Sequence, residues 1–284
     1  MSPVSSGIRS SVVKAGGHRT RFLEAGDESA PTVVLIHDGS YGADASVSWD
    51  GMLPELAARY HVFAPDLLGW GGTDKTVYFD RSHYEFRIEH IARFCEALGI
   101  DRPAHFVGSS FGGSLVLRAA VEQPLRWPFG SGVSLSGTGG PYRVLEAFKE
   151  LTTFDGTIED SRRLMGLLVA DADAAAFEDQ VERRHQGAYR PGHWEAMLSV
   201  GLRRPTNTSV EPPEGFPESL ADTPVPLLLV EGAKDRLLEP GWAEKLAGFG
   251  AHVRAVTMDC AHLPNLERPD ELLALLVEFF DSNP

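Results

Sequence analysis

The sequence predicts an α/β fold, a mostly parallel sheet with helices on both faces, into which a helical cap is inserted. Residues 18–140 alternate short apolar runs with helical patterns, and residues 223–284 resume that alternation. The segment between them shows helical periods only. A chain of 284 residues is long enough for such a core and a cap. We therefore predict a core in two parts, 1–140 and 223–284, with a cap at 141–222.

The first element that carries chemistry is an apolar strand at 33–36, which runs into a glycine-bearing loop, His37-Asp38-Gly39-Ser40-Tyr41-Gly42. A loop after an early strand of such a sheet can supply a backbone N–H to an oxyanion hole. We expect the Ser40 amide to be this donor, with Gly39 as the second choice. The alternative is an ordinary strand-to-helix turn.

The second element is a nucleophile elbow. Residues 106–113, FVGSSFGG, follow an apolar run and open a helical pattern, which predicts a strand, a sharp turn with Ser110 at its tip, and a helix. Strand and helix pass close together there, so small flanking residues are needed, and Gly108 and Gly112 supply them. The Phe111 N–H is the other expected oxyanion donor. By itself this short pattern also fits a glycine-rich turn without function.

The cap follows, and it is predicted from helical spacing and one capping signal. Thr157 and Asp160 have the spacing of a helix N-cap. Apolar residues at helical spacing lie on either side of it: Val144, Leu145, Phe148 and Leu151 before it, and Leu164, Leu167, Leu168, Phe177 and Val181 after it. A loop at 205–224, rich in Pro and Thr, leads back to the core.

Two strand-like runs then complete the core, and each precedes a polar side chain. Residues 226–230 lead to Asp235, and residues 253–258 lead to the loop with His262. Open α/β sheets place their sites at the carboxyl ends of strands, so we expect these side chains to meet Ser110. Ser110 would be the nucleophile and His262 its general base, with Asp235 fixing the imidazole tautomer. Taken singly, Asp235 also fits a turn residue and His262 a surface group.

Composition limits the partners. A formal net charge of −14 argues against a nucleic acid, which demands a basic face. No apolar stretch approaches the roughly 18 residues of a membrane span, and Met1-Ser2-Pro3-Val4 lacks a leader pattern, so we expect a soluble cytoplasmic protein. Cys95 and Cys260 suggest neither a disulfide framework nor a metal cluster. Residues 69–76 lack the glycine of a phosphate loop and predict a turn. We expect a small-molecule substrate and no cofactor.

These motifs resemble those of the α/β-hydrolases over the whole chain, and the expected fold is therefore the α/β-hydrolase fold. Within that superfamily the chain is most similar to the meta-cleavage product hydrolases, which split a carbon-carbon bond in dienol ring-fission products of aromatic catabolism. Three features carry the closer resemblance: Ser136-Gly137-Thr138-Gly139-Gly140, Thr157-Ile158-Glu159-Asp160 and Val181-Glu182-Arg183-Arg184.

In that family a cap arginine binds the substrate carboxylate, and the resemblance assigns this role to Arg184, or to Arg183 if the alignment is shifted by one. A guanidinium can grip a carboxylate with two parallel hydrogen bonds. The plainer reading is a solvated helix face, because residues 182–184 form a charge run.

The chain departs from the family at three positions. Ser109 stands where the family has asparagine, Leu263 where it often has tryptophan, and Asp38 where it has glycine. We expect Ser109, Leu263 and Trp194 to contact substrate together with Arg184. A carboxylate at Asp38 would oppose the charge that develops in an oxyanion hole unless it points away.

The resemblance implies ketonisation of a dienol, then attack on its carbonyl by Ser110 or by water activated through His262, then carbon-carbon cleavage. The main alternative is a carboxylic ester or lactone hydrolase acylated at Ser110. A ligand-binding protein of this fold with little turnover also fits, as do cofactor-free oxygenases and haloperoxidases. Epoxide hydrolases and dehalogenases fit less well, because they place aspartate where Ser110 stands. Related hydrolases often dimerise or form larger assemblies, so a homodimer or higher homo-oligomer is one expectation.

Overall fold

The centre of the protein is a single eight-stranded sheet. The computed structural model describes residues 7–170, 173–199, 202 and 215–284. Its strands are β1 (Arg9–Ala15), β2 (His18–Ala25), β3 (Thr32–Ile36), β4 (His61–Pro65), β5 (Ala104–Ser109), β6 (Phe129–Leu135), β7 (Leu227–Gly232) and β8 (Val253–Met258). They lie in the order β1-β2-β4-β3-β5-β6-β7-β8. Strand β2 pairs antiparallel with β1 and β4, and every other pairing is parallel, which confirms the mostly parallel sheet.

Helices connect these strands, as parallel pairing requires. Those of the core are α1 (Ala45–Trp49), α2 (Leu53–Ala57), α3 (Glu85–Leu98), α4 (Phe111–Ala120), α9 (Trp242–Ala247), α10 (Pro264–Glu267) and α11 (Pro269–Asp281). Those between β6 and β7 are α5 (Leu145–Thr152), α6 (Ile158–Leu168), α7 (Ala174–Ala188) and α8 (His193–Leu198).

The sheet is covered on both faces, and strand β3 shows this directly. Successive side chains of a strand point to opposite faces. Val33 and Leu35 pack in one cluster with Trp49 of α1 and Phe279 of α11. Their neighbours Val34 and Ile36 pack in another, with residues of α3 and α4. A central strand buried on both faces reads as a continuous apolar run, which is why β3 and β7 have no polar alternation.

Every described element between β6 and β7 is helical, in keeping with the expected cap. Thr157 caps α6 by accepting a hydrogen bond from the Asp160 N–H at 3.1 Å, as the spacing predicted. Met165 of α6, Val181 of α7 and Leu263 of the core pack in one buried cluster. The cap boundaries at 141 and 222 stay a prediction.

Much of the predicted loop at 205–224 lies outside the described residues. Its described end includes a short 3-10 helix, Glu218–Ala221. Among the helices that the structure describes, none combines the length and the apolar character needed to span a bilayer.

Candidate active site

The predicted elbow forms where β5 meets α4. Ser110 has φ 51° and ψ −108°, a strained backbone for a residue with a side chain. A Cβ on Gly108 would lie 2.2 Å from the Gly112 carbonyl carbon, and a Cβ on Gly112 would lie 2.3 Å from the Ile36 oxygen. Both glycines are therefore required by close backbone crossings. The Ser110 N–H donates to the Leu135 oxygen at 2.6 Å, which fixes the turn against β6.

Three side chains from separate strand ends meet at this elbow. The Ser110 hydroxyl donates to His262 Nε2 at 2.7 Å, and His262 Nδ1 donates to Asp235 Oδ2 at 2.7 Å. A carboxylate can only accept, so Nδ1 carries the proton and Nε2 is left as the acceptor. The second oxygen of Asp235 accepts from the Leu237 N–H at 2.8 Å. The arrangement can draw the proton from the Ser110 hydroxyl as it attacks a carbonyl.

The His262 loop is fastened to the end of the cap helix α6. The His262 N–H donates to the Leu168 oxygen at 3.0 Å. The Glu267 carboxylate accepts from the Ala261 N–H at 2.7 Å and from the Ala170 N–H at 3.0 Å, so it ties both segments together. The imidazole is therefore positioned by the cap as well as by the sheet.

The loop after β3 lies directly over the elbow. A Cβ on Gly39 would lie 2.8 Å from Cβ of Phe111, so the two backbones are in close contact. The Ser40 N–H donates to Asp38 Oδ1 at 3.0 Å, so the amide expected to be the oxyanion donor is already used inside its own loop. Gly39, the second choice, is therefore the better candidate beside Phe111.

Asp38 forms a buried ion pair with Arg184. Arg184 Nη1 and Nη2 donate to the two Asp38 oxygens at 3.0 and 3.1 Å, and both side chains are at most 5% exposed. Ser48 Oγ also donates to Asp38, at 2.9 Å. Burial opposes ionisation of Asp38, but the Arg184 charge and the hydrogen bonds from Arg184 and Ser40 outweigh it and hold its pKa well below the usual range.

This pair bears on the expected role of Arg184, which stays a prediction. Its guanidinium is bound by a carboxylate of the chain itself. Arg183, the alternative, pairs with Asp50 and Asp179 on the outside of α7. Asp38 stands at the position that distinguishes this chain from the resembled family, and the ion pair explains how a carboxylate is tolerated there.

A cavity of about 580 Å³ opens in front of Ser110, and most of its wall is apolar or aromatic. The wall also holds Ser110 itself, Phe111 and Gly39, the groups of the proposed chemistry. Aromatic and aliphatic side chains supply most of the rest: Tyr41, Trp70, Tyr84, Phe148, Leu151, Leu168, Met197, Leu198 and Leu238. A few polar groups on an apolar wall are typical of a small-molecule site.

The other three expected contacts are also absent from this wall. Ser109 is fully buried and donates to Asn265 Oδ1 at 3.2 Å, so it fixes α10 against β5. Leu263 is fully buried in the cluster beneath the cap. Trp194 packs against Tyr41 and Phe154, with ring centroids 5.9 and 5.3 Å away. Ser109 and Leu263 are fully enclosed by their neighbours, whereas Trp194 stays partly exposed, and a role for these three residues as substrate contacts stays a prediction.

Other residues on the wall were not expected from the sequence. Arg87, Arg143 and Tyr84 line the cavity, and no motif marks them. Ser136 lines it too, with φ 50° and a buried hydroxyl that has no hydrogen-bond partner within the described ranges. Its signal was present, because Ser136 opens the Ser-Gly-Thr-Gly-Gly run that was read as a family feature.

Neither cysteine takes part in the site. Cys95 and Cys260 are buried free thiols, and burial raises the pKa of each to about 12. A thiol that stays protonated is a poor nucleophile. Within the part of the chain that the structure describes, no three or more His, Cys, Asp and Glu side chains are grouped so as to hold a metal ion.

Comparison with known proteins gives a consistent answer. The model of the alpha/beta hydrolase family matches residues 33–275. A 2-hydroxy-6-oxo-6-(2'-aminophenyl)hexa-2,4-dienoic acid hydrolase from Metapseudomonas resinovorans is 28% identical over 94% of this chain and 89% of its own. A pimeloyl-[acyl-carrier protein] methyl ester esterase from Aeromonas hydrophila is 25% identical over 88% of this chain and 95% of its own. Among solved structures, a 2-hydroxy-6-oxo-6-phenylhexa-2,4-dienoate hydrolase from a Rhodococcus species superposes with a TM-score of 0.84 at 28% identity, covering 98% of this chain and 100% of that one.

Proposed function

The chain belongs to the alpha/beta hydrolase family, and from that premise we propose that it is a serine hydrolase that cleaves a bond at a carbonyl carbon. The observation that carries the proposal is the continuous hydrogen-bonded line from Ser110 through His262 to Asp235, with both distances at 2.7 Å. Ser110 is the nucleophile, His262 the general base and Asp235 the group that holds the imidazole.

The reaction follows from this geometry. Ser110 Oγ attacks the carbonyl carbon while His262 Nε2 takes its proton, and the carbonyl oxygen becomes an oxyanion. The backbone N–H groups of Gly39 and Phe111 are the proposed donors to that oxyanion, supported by the close contact of the two residues. His262 then returns the proton to the leaving group. Water hydrolyses the acyl-enzyme by the same route in reverse.

The leading substrate is a dienol acid of the meta-cleavage type, in which the bond cleaved joins the carbonyl carbon to the dienol chain. The relatives from Metapseudomonas and Rhodococcus are named as hydrolases of 2-hydroxy-6-oxohexa-2,4-dienoic acids, and each is aligned over nearly the whole chain. In this reaction the dienol first ketonises, so that the electron pair of the broken bond leaves on a stabilised carbon. Attack by Ser110, or by water that His262 activates, then releases the acid. The wide apolar cavity suits such a substrate.

Ester hydrolysis is the second candidate, and one observation favours it. Arg184, which by resemblance should receive the substrate carboxylate, is neutralised by Asp38. A neutral ester needs no such cation. The Aeromonas relative is named as a methyl ester esterase.

The deciding experiment is the ratio of kcat/KM on a carboxylated dienol ring-fission product and on a simple aryl ester. We expect activity on the dienol to dominate and Ser110→Ala to abolish both. Dominant ester activity, also lost in Ser110→Ala, would make the protein an esterase. Activity that survives Ser110→Ala on both substrates would contradict the proposed nucleophile.

A fluorophosphonate probe separates turnover from ligand binding. Such probes phosphonylate an activated serine, so we expect the wild type to be labelled at Ser110 and Ser110→Ala to stay unlabelled. A folded wild type without labelling or turnover would favour the ligand-binding alternative.

We place the protein in the cytoplasm, acting on a small molecule.

A further inference from the structure

Two arginines line the wall of the cavity in front of Ser110, although the chain as a whole is acidic. Three charged side chains line it: Asp38, Arg87 and Arg143. Asp38 is neutralised by Arg184, which leaves Arg87 and Arg143 as the cationic side chains of this wall in a chain of net charge −14. Placing cations on an apolar wall is costly unless an anionic or polar group of the ligand pairs with them.

Arg184 cannot serve that group in this arrangement. Four of its five N–H bonds are used: its Nε donates to Gln180, its Nη1 to Asp38 and Ser40, and its Nη2 to Asp38. It is 5% exposed, it is not among the residues that line the cavity in front of Ser110, and the separate cavity that it borders, of about 10 Å³, is too small for a substrate. Asp38 neutralises the charge of Arg184.

Arg87 is enclosed by the core. Its Nε donates to the Leu68 oxygen at 2.9 Å and its Nη1 to the His83 oxygen at 2.8 Å. Its guanidinium lies 4.6 Å from the ring centroid of Trp70 and 4.3 Å from that of Phe86. With 1% exposure and these fixed contacts, it holds the loop before α3 in place.

The backbone around Arg143 is bonded to the segment that follows Asp235. Its backbone forms an isolated antiparallel bridge with Leu238, just beyond Asp235. The Val144 N–H donates to the Leu237 oxygen at 2.9 Å, and the Glu239 N–H donates to the Tyr142 oxygen at 2.9 Å. The segment is thereby bonded to the turn that carries the proposed triad acid. Its position relative to the nucleophile is therefore fixed.

Among the residues that the structure describes, the side chain of Arg143 has one hydrogen-bond partner and keeps further N–H donors free. It donates to the Tyr84 hydroxyl, and its guanidinium lies 5.1 Å from the ring centroid of Phe148. Among residues 7–170, 173–199, 202 and 215–284, no carboxylate is paired with it. The Tyr84 ring in turn packs on Phe111, with 5.0 Å between centroids, next to Ser110.

We propose that Arg143, and not Arg184, binds the anionic group of the substrate. This inference rests on the proposed hydrolase function and deepens it, because it assigns a carboxylate-bearing substrate to a cation on a different element. Tyr84 orients the guanidinium, and Arg143 binds the carboxylate through its remaining N–H groups. The Ser136 hydroxyl on the same wall supplies a further polar contact.

Turnover of a matched substrate pair tests the proposal. 4-Nitrophenyl hemisuccinate carries a carboxylate, and 4-nitrophenyl butyrate is its neutral counterpart. We expect Arg143→Gln to lower kcat/KM for the hemisuccinate by a factor of about 10 to 100, through KM, and to change the butyrate by less than about threefold. Arg143→Lys keeps the charge and should recover part of the loss. Lys149→Gln, an exposed charge on α5, is the matched control and should change neither.

A binding measurement separates this proposal from the proposed function. In the Ser110→Ala background, calorimetry with benzoate and benzamide needs no turnover. We expect Arg143→Gln to weaken benzoate about tenfold or more and to leave benzamide unchanged. That result without any wild-type turnover would overturn the hydrolase function and keep the Arg143 site. Equal effects on both ligands, or none on benzoate, would overturn the Arg143 site whatever the turnover, and thermal melts would confirm that each variant folds.

Discussion

The strand ends around Ser110 and the contact of α7 with the loop after β3, around Arg184, both carry residues that the sequence predicted to be functional, but different features specify the two regions. At the strand ends, the backbone crosses so closely at Gly108 and Gly112 that a side chain fits at neither position. At the contact of α7 with the loop after β3, Arg184 meets Asp38, which is 146 positions away in sequence. The first region is specified by short segments, and the second by how two distant segments dock.

The docking itself has a backbone cause. A Cβ on Gly42 would lie 1.7 Å from the Arg184 oxygen, and a Cβ on Gly187 would lie 2.4 Å from the Gly42 oxygen. The loop after β3 therefore lies directly on α7, which brings Arg184 within reach of Asp38. The sequence shows that an arginine is present at position 184, but the side chains that surround it in the fold decide whether its charge is available to a ligand.

The largest effect we expect comes from breaking the strand-end region at Asp235. Asp235→Asn should lower kcat by about 10⁴, because an amide no longer holds the His262 tautomer with Nδ1 protonated. Steady-state kinetics on the better substrate measures this. The fluorophosphonate labelling rate should fall in parallel, while the melting temperature changes little. Retention of more than a tenth of the activity would contradict the assigned acid.

The Arg184–Asp38 pair should matter more for stability than for substrate choice. Arg184→Gln leaves a buried carboxylate unpaired, and we expect a loss of about 3–5 kcal/mol in the free energy of unfolding. The double variant Asp38→Asn/Arg184→Gln removes both charges and should recover much of that loss. Urea unfolding gives all three values. Selective loss of kcat/KM for the hemisuccinate in the double variant would instead restore Arg184 as the substrate clamp.

A smaller effect is expected from crowding the oxyanion loop. Gly39→Ala places a Cβ 2.8 Å from Cβ of Phe111, so the two proposed N–H donors must separate. We expect kcat to fall by about 10² with little change in KM, the cost of one misplaced donor. Gly51→Ala is the control, because a Cβ there meets nothing within 4 Å. Similar kinetics for both variants would argue against Gly39 as a donor.

The smallest effect that we expect from a single residue is the change in the free energy of unfolding with pH that each buried histidine causes. Burial lowers the pKa of His193 to about 4, and it likewise lowers that of His90 to about 3 and that of His105 to about 4. The unfolded value is about 6.5, so below it the unfolded chain binds protons that the folded chain does not. These histidines therefore do not lower the free energy of unfolding above about pH 6.5. They lower it progressively as the pH drops from there toward 4.

Between pH 7 and 5.5 we expect each of these histidines to cost about 1 kcal/mol. The ring of His193 stays neutral because one of its nitrogens accepts a hydrogen bond while the other donates one. The Gly42 N–H donates to Nε2 at 3.0 Å, and Nδ1 donates to the Gly69 oxygen at 2.9 Å. Urea unfolding at the two pH values measures the loss. Equal stability at both, or higher stability at pH 5.5, would contradict the assignment of neutral buried rings.

Much of the fold follows from local patterns. Apolar runs bounded by turns predicted the central parallel strands, and the Thr157 capping signal predicted the start of α6. The pattern did not reveal β1, where exposed and buried residues share an edge strand that pairs only with β2. A half-exposed edge strand gives a weak apolar signal, because only one of its sides is paired and few of its side chains are buried.

The sequence by itself determined the sheet, the elbow and the three polar residues at strand ends, because each depends on spacing over a few residues and on where parallel strands terminate. Only the tertiary structure decided which cation faces the cavity. Arg184 and Arg143 look alike in the sequence, yet one is neutralised by Asp38 and the other lines the cavity. Charge is a property of a residue, whereas its availability depends on the partners that folding brings within reach.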